Sequence, residues 1–336
     1  MKPGMSRIVC IGGAAIDRKY RALDAIRPGT SNPVVSERSF GGVARNVAEN
    51  MARLGIQAAL ASAVGDDDNG RALLDDLNRL GIDTRAVTVS GGHATAEYVA
   101  VLQPDGELAV GLANMAVFEE ITPALLRRID LGSAWIFADC NLPPETLHAL
   151  IGLARQRGLM LAIDAVSTPK VVRLPQDLYG LGALFLNLDE ARVCLDRPEA
   201  EPEAAVRALL ARGVERVVLT LGDEGLVAAD PSGIATIGAI RAAIVDATGA
   251  GDALIAATLA AMMKGATLPD AARLGTAAAA LTVESPVSVR PDLSPALLQS
   301  ALSLRASYEK VDPVLRSQRC ASQGEEHRPA PEREIS

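Results

Sequence analysis

The stretch best suited to chemistry is Asp246-Ala247-Thr248-Gly249-Ala250-Gly251-Asp252, which runs straight into an apolar helical pattern from Ala253. Small residues and two glycines let backbone N–H groups converge without a Cβ in the way. At a helix start, orphan amides and the positive end of the helix dipole face one point. The loop therefore suits an anion, and in particular the charge that develops on a transferring phosphoryl group. Asp252 is placed to accept a proton from an alcohol attacking that phosphorus. The same residues also fit a plain glycine turn with Asp252 capping the helix. The chain has no Walker-type loop (GxxxxGK followed by Ser or Thr). The run Gly249-Ala250-Gly251-Asp252-Ala253-Leu254 ends in leucine and lies far from the first strand, which disfavours a dinucleotide turn and a dehydrogenase.

A second candidate is Gly41-Gly42-Val43-Ala44-Arg45-Asn46-Val47-Ala48 at the opening of the first long helix. Two glycines permit close approach of a ligand, and Asn46 offers a donor and an acceptor to a hydroxyl. A tight loop before an ordinary helix explains the same residues. Asp17, soon after the first strand, reads alone as a turn residue. Cys140 reads as a small strand-end residue rather than a nucleophile, since no histidine is near it in sequence. His93 and His148 lack metal-ligand spacing, and Trp135 is expected in the core.

The elements that must position these residues alternate. Residues 8–11, 58–64, 134–138, 160–163, 183–186 and 217–221 read as buried strands. Residues 44–54, 70–80, 144–157, 188–195 and 204–212 read as amphipathic helices, with alanine-rich helices over 252–263 and 268–282. That order implies βαβ crossovers and a doubly wound, mostly parallel α/β sheet with helices on both faces. Residues 17–40 and 94–113 break the rhythm and are expected to form antiparallel strands projecting as a small lid. Residues 312–336 are polar and carry three prolines, which predicts a mobile tail.

Composition narrows the function classes. Of 336 residues 49% are hydrophobic and 22% charged, enough for a sizeable core. Thirty-three basic against 41 acidic residues leave a net charge of −8, which disfavours a nucleic-acid or membrane binder driven by bulk charge. Aromatics at 3% leave few platforms for stacking bases. Four scattered cysteines and three histidines disfavour a zinc site or a disulfide framework. The start of the chain lacks a secretory pattern, and the longest apolar stretch, 253–263, is short of the ~20 residues that span a bilayer. A reducing cytoplasm is the expected home.

Taken together, residues 41–48 and 246–252 resemble the paired signatures of the ribokinase-like (PfkB) carbohydrate kinase family. Matches in the family's order include Val64-Gly65-Asp66-Asp67-Asp68-Asn69-Gly70, Leu80-Gly81-Ile82-Asp83, Asn187-Leu188-Asp189-Glu190 and Thr220-Leu221-Gly222-Asp223-Glu224-Gly225. The resemblance spans residues ~7–305 and implies one kinase domain over residues 1–311, with its lid near 15–40 and 92–113. It implies ATP and Mg²⁺ as cofactors, leaves a monovalent cation (K⁺) open, and implies a homodimer through the lid. It assigns Asp252 as base and Gly249, Ala250 and Gly251 as the anion hole. Asn187 and Glu190 would organise Mg²⁺, through water. Thr220, Gly222 and Gly225 would flank the nucleotide, and Asp17, Gly41, Gly42 and Asn46 would hold the sugar. Alone, the Asn187–Glu190 tetrapeptide reads as a solvated helix start. An aspartate of ordinary pKa, near ~4, would take the proton only as the P–O bond forms.

Within the family, Thr30-Ser31-Asn32-Pro33, Gly41-Gly42-Val43-Ala44-Arg45-Asn46, Ala138-Asp139-Cys140-Asn141 and Asp164-Ala165-Val166-Ser167-Thr168-Pro169-Lys170 resemble the members that act on pseudouridine. Ala15 stands where ribokinase-type members carry an asparagine, which counts against free ribose. On this reading Thr30, Ser31 and Asn32 read a uracil edge, and Asn141 orients the nucleoside. Ser167 and Lys170 steady phosphates. A plain turn at 30–33, a strand-end cap at Asn141 and a solvated Lys170 remain open. So do another nucleoside or sugar substrate and a non-catalytic sensor, although a sensor has no need of Asp252.

Overall fold

The structure is a computed structural model that describes residues 7–132 and 135–311, with main chain alone from 304. The expected tail, 312–336, lies outside the described residues. The chain runs through β1 (Arg7–Ile11), β2 (Ala15–Ala22), β3 (Val34–Gly41), α1 (Val43–Arg53), β4 (Gln57–Ala61), β5 (Ala63–Gly65) and α2 (Asp68–Arg79). It continues through β6 (Thr88–Ser90), β7 (Ala96–Leu102), β8 (Leu108–Asn114), α3 (Pro123–Leu126), β9 (Trp135–Asp139), α4 (Pro144–Arg157), β10 (Leu161–Asp164) and α5 (Thr168–Val171). Then come β11 (Ala183–Asn187), α6 (Leu188–Leu195), α7 (Pro202–Ala211), β12 (Val217–Thr220), β13 (Leu226–Asp230), β14 (Gly233–Ile237), α8 (Ala250–Met263), α9 (Leu268–Val283) and α10 (Pro295–Val311).

Strand β1 shows why the main sheet needs two covers. Ile8 and Cys10 join the core on one face, Val9 and Ile11 the core on the other, and all four are buried. Strands apolar on both faces suit parallel pairing with helical crossovers. The eight-stranded sheet runs β14-β13-β12-β11-β10-β9-β1-β4, parallel from β4 to β12, with an antiparallel β13–β14 hairpin at its end. Helices α1, α2, α8, α9 and α10 contribute to one core, with Phe137 and Phe185, and helices α4, α6 and α7 to the other. Burying one such phenylalanine contributes about 1.5–3 kcal/mol. Trp135 is only half-buried, at the start of β9.

Helix α8 is apolar on all sides, and Ala253 through Met262 are buried, as expected of an interior helix. It packs on α1 and α9. A Cβ at Gly275 of α9 would stand 2.3 Å from Thr258 Oγ1, so that glycine lets the two helices close up. Packing on both sides fixes where the first turn of α8 points. No helix among the described residues is long and apolar enough to cross a membrane.

The lid is a separate four-stranded sheet of order β3-β2-β7-β8. Both hairpins are antiparallel, but the central β2–β7 pair is parallel, contrary to the expectation of antiparallel strands throughout. Ala15 and Ala96, buried register partners, begin the two strands, so both leave the body in the same direction. Asp17 lies within β2 rather than in a turn. The expected strand over 58–64 divides at Ser62, whose hydroxyl donates to Gly12 O at 2.6 Å, and β5 then pairs with β6 in a third sheet.

Candidate active site

Strand order changes direction between β1 and β9, and ligands in open α/β sheets gather at the carboxyl ends beside such a switch. Asp139 ends β9 there, fully buried. Its carboxylate accepts from the amides of Gly13, Ala44 and Asn141, each at 2.9 Å, and so ties the β1–β2 loop, the start of α1 and the β9–α4 loop together. A Cβ at Gly12, φ +151°, would stand 2.5 Å from that carboxylate. Burial raises the pKa of Asp139, and the backbone bonds oppose the rise.

The first turns of α1 and α8 meet over this knot. Asn46 Nδ2 donates to Asp252 Oδ2 at 2.8 Å, and Asn46 Oδ1 accepts from Arg45 Nη1 at 3.0 Å. Because a guanidinium only donates, this bond turns the Asn46 amide so that its NH₂ faces Asp252. Arg45 is itself held by Glu49, by Asp76 at 3.1 Å and over the Phe40 ring at 5.6 Å. Burial pushes Asp252 up to about 7, with the Asp139 and Asp17 charges adding to the rise, while the Asn46 bond and Arg45 oppose it. The sequence-based expectation of an ordinary carboxylate near 4 is therefore corrected. A carboxylate poised near neutrality is what a general base requires.

Gly249, φ +81°, caps α8, and no side-chain hydrogen bond caps that helix start. Its Cβ would stand 1.9 Å from Ser288 O, whereas one at Gly251 would meet nothing within 4 Å. The first-turn amides of Ala250, Gly251 and Asp252 have no upstream helical carbonyl. Only Ala250 N makes a bond within the loop, to Ala247 O at 3.3 Å. The loop before them is shaped by Asp246, whose Oδ1 accepts Thr248 N at 2.9 Å and Thr248 Oγ1 at 2.6 Å.

The other expected site residues fall into groups. Asp17 on the lid packs against Gly41, where a Cβ would lie 2.1 Å from its carboxylate, and burial raises its pKa. Gly42, φ +93°, lies against the Gly13 carbonyl. Asn141 accepts Lys170 Nζ at 2.5 Å on its Oδ1, so Lys170 stands with the residue expected to orient the nucleoside. Ser167 caps α5 without a side-chain bond. Asn187 and Glu190 form a reciprocal capping box at 2.8 Å, the local helix-start arrangement. Thr220 is the register partner of Asn187, and Gly222 and Gly225 turn the chain after it. Thr30 and Ser31 are exposed in the β2–β3 loop. Asn32 closes that loop, accepting Arg27 N at 2.8 Å and donating to Arg27 O and Thr30 O. Cys140 is buried and its thiol is pushed well up by burial. His93 pairs with Glu120 at 2.8 Å, and no metal-holding group of three or more His, Cys, Asp or Glu occurs among the described residues.

Sequence reasoning gave no role to Asp139, Asp164 or Lys19. Asp164 ends β10; its pKa is pushed far up by burial, then by Asp252, Glu190 and Asp139. It accepts Val166 N at 3.0 Å, which turns Val166 to φ +68°. An acid directly after an apolar strand run was the available signal for both aspartates.

A family model described as pfkB family carbohydrate kinase matches residues 5–293. The pseudouridine kinase of Escherichia coli K12 is 30% identical over 294 residues, covering 85% of this chain and 93% of its own. A carbohydrate kinase from Agrobacterium tumefaciens superposes with a TM-score of 0.79 at 32% identity, covering 90% and 98%. The Arabidopsis thaliana ribokinase solved with ribose and ATP gives a TM-score of 0.75 at 20% identity, covering 89% and 98%, a likeness of fold. The chain belongs to the pfkB family of carbohydrate kinases and has the ribokinase-like fold. Its members are phosphotransferases with an alcohol as acceptor.

Proposed function

We propose that the protein transfers the γ-phosphoryl of ATP to the 5′-hydroxyl of pseudouridine. The observation that carries the chemistry is Asp252, raised to about 7 and seated in the first turn of α8 beside amides that no side chain caps. The alcohol oxygen attacks the γ-phosphorus in line, and the bond from that phosphorus to the β-bridging oxygen breaks. The hydroxyl proton passes to Asp252, and the N–H groups of 249–251 offset charge on the migrating phosphoryl. General-base assistance is worth ~10²–10⁴-fold. Asp17 and Asn46 would orient the acceptor. Thr220, Gly222 and Gly225 would flank the nucleotide.

Mg²⁺ would supply charge neutralisation on the phosphates. Both Asn187 Oδ1 and Glu190 Oε2 are engaged in the capping box, which leaves Glu190 one carboxylate oxygen outside it, and the Glu190 charge helps raise the pKa of Asp164. That donor set suits an ion that keeps most of its water. The choice of pseudouridine is supported by the E. coli relative and by the polar pair Asn141–Lys170 beside Asp139. A buried polar group left unpaired by the wrong nucleoside costs about 1–3 kcal/mol. A homodimer through the lid is part of the same reading. Val99 pairs Leu112 and Val101 pairs Val110, and Val110 and Leu112 are 48% and 56% exposed on an edge strand. Light scattering at micromolar concentration should give twice the chain mass.

The test is an ADP-release assay with pseudouridine, uridine, adenosine, ribose and fructose. Pseudouridine should give the highest kcat/KM. Fastest turnover of ribose refutes the substrate, and turnover of none favours a sensor.

A further inference from the structure

Lys19 follows Asp17 by two residues on β2, so both side chains leave the same face of the lid. Its Nζ donates to Asp246 Oδ2 and lies 3.4 Å from Thr248 Oγ1. The lid is thereby joined to the residues immediately before Gly249, across 227 positions of sequence. The pair is not a loose surface contact, since the two side chains are 27% and 23% exposed. Asp246 uses its other oxygen to bend the loop through Thr248. One carboxylate therefore both shapes the anion loop and receives the lid's ammonium.

The backbone of the loop is fixed to the body at both of its ends. Gly249 lies against Ser288 O, and Val245 N and Asp246 N donate to Val283 O at 2.7 and 3.2 Å. The loop is thus held to the body through its backbone and, through the Asp246 side chain, to a strand that also carries Asp17. Lysine suits the second role, because its flexible stem and three donors can follow β2 as it shifts while keeping hold of Asp246.

We propose that Lys19 is a positioning residue for phosphoryl transfer: acting through Asp246, it sets the anion loop according to whether the lid strand has engaged the acceptor. Binding of the acceptor at Asp17 steadies β2, and Lys19 passes that constraint to residues 246–248 and so to the amides that follow. This rests on reading 249–252 as the phosphoryl site. A displacement of about 1 Å at such a site can cost ~10²-fold in rate.

The test uses the full chain as wild type, Lys19→Met, Lys19→Arg, Asp246→Asn and the Lys19→Met/Asp246→Asn double variant. Lys19→Met should lower kcat about 10–100-fold while the ATP dissociation constant, measured without acceptor, changes less than ~3-fold. Lys19→Arg should recover most of the loss. The double variant should be no slower than the slower single, because both changes cut one link. Hydrogen exchange supplies a readout without turnover. The best acceptor of the panel, added alone, should slow exchange of the 247–252 amides in wild type and not in Lys19→Met. Additive losses in the double variant, or equal protection in Lys19→Met, overturn the proposal. If Asp252→Asn keeps full kcat while the exchange coupling persists, the phosphoryl site is misplaced and the lid–loop link still stands.

Discussion

Two helices in this molecule begin alike in sequence and end up in opposite uses. Both α1 and α8 start at glycines of positive φ, Gly42 and Gly249, and neither has a side-chain cap of its own. At α1 the protein fills the helix start itself. The Asp139 carboxylate takes Ala44 N, Gly13 O takes Arg45 N at 3.1 Å, and Gly42 is pressed against Gly13. At α8 the space beside Gly251 is left open. A glycine-rich helix start is thus free to take an outside anion, as proposed for α8, only where the fold withholds its own carboxylate. The two are also coupled, because the charge of Asp139 at the first helps raise Asp252 at the second.

The heaviest blow to the second helix start is Asp252→Asn, expected to lower kcat by ~10²–10⁴ with ATP affinity nearly intact. Near-normal kcat would remove Asp252 from the role of base. The same variant carries a stability signature. The folded pKa of about 7 lies above the ordinary 3.8, so the stabilising contribution of Asp252 is complete below ~4 and lost as pH rises through 7. Asp252→Asn should therefore raise Tm at pH 8 and leave it nearly unchanged at pH 4. A melting series across that range checks the sign, and equal Tm values at pH 8 would argue against a strained, proton-hungry carboxylate.

A paired substitution compares the two starts directly. Alanine at Gly42 would put a Cβ 2.5 Å from Gly13 O at a φ of +93°, so the fold should lose about 1–3 kcal/mol and melt several degrees lower. Alanine at Gly251 meets nothing within 4 Å, so Tm should hold within about 1 °C while kcat/KM falls roughly 10-fold from crowding of the anion space. If Gly251→Ala were fully active and Gly42→Ala fully stable, the contrast between a filled and an open helix start would fail.

The sequence shows the alternation of strands and helices because buried parallel strands are apolar on both faces, as Val9 and Cys10 illustrate. It also shows the loop at 246–252 as a glycine-rich helix start with an acid in its first turn, without deciding between a plain cap and an anion site. Other features depend on pairing that local pattern does not encode. The parallel β2–β7 pair follows from where two distant strands leave the body, and Lys19 meets Asp246 only through the fold. The raised pKa of Asp252 is hidden from local sequence for the same reason: it comes from burial and from Asp139 and Asp17, which lie 113 and 235 positions away in sequence (252 − 139 and 252 − 17). Asn32 carries the opposite lesson. Its turn-forming side chain bonds its own loop, the local reading that sequence had left open beside recognition of a base.

The smallest effect is also the most discriminating. Asn46 donates to the charged form of Asp252, so its bond holds the Asp252 pKa below where burial alone would set it. Removing the donor with Asn46→Ala should move the acid limb of the kcat/KM profile upward from about 7, by ~1 pH unit or less, the equivalent of one hydrogen bond to a charged group. The expected loss then has a pH-dependent part, up to about 10-fold on the acid side and vanishing near pH 9, where Asp252 is ionised in both proteins, over a constant part from the lost contact to the acceptor. A loss equal at every pH would mean that Asn46 serves the acceptor hydroxyl alone and has no part in tuning the base. An unchanged limb would mean that the group titrating near 7 is not Asp252. The filled helix start at α1 would then contribute architecture to the site through Asp139 and nothing to the proton acceptor on α8.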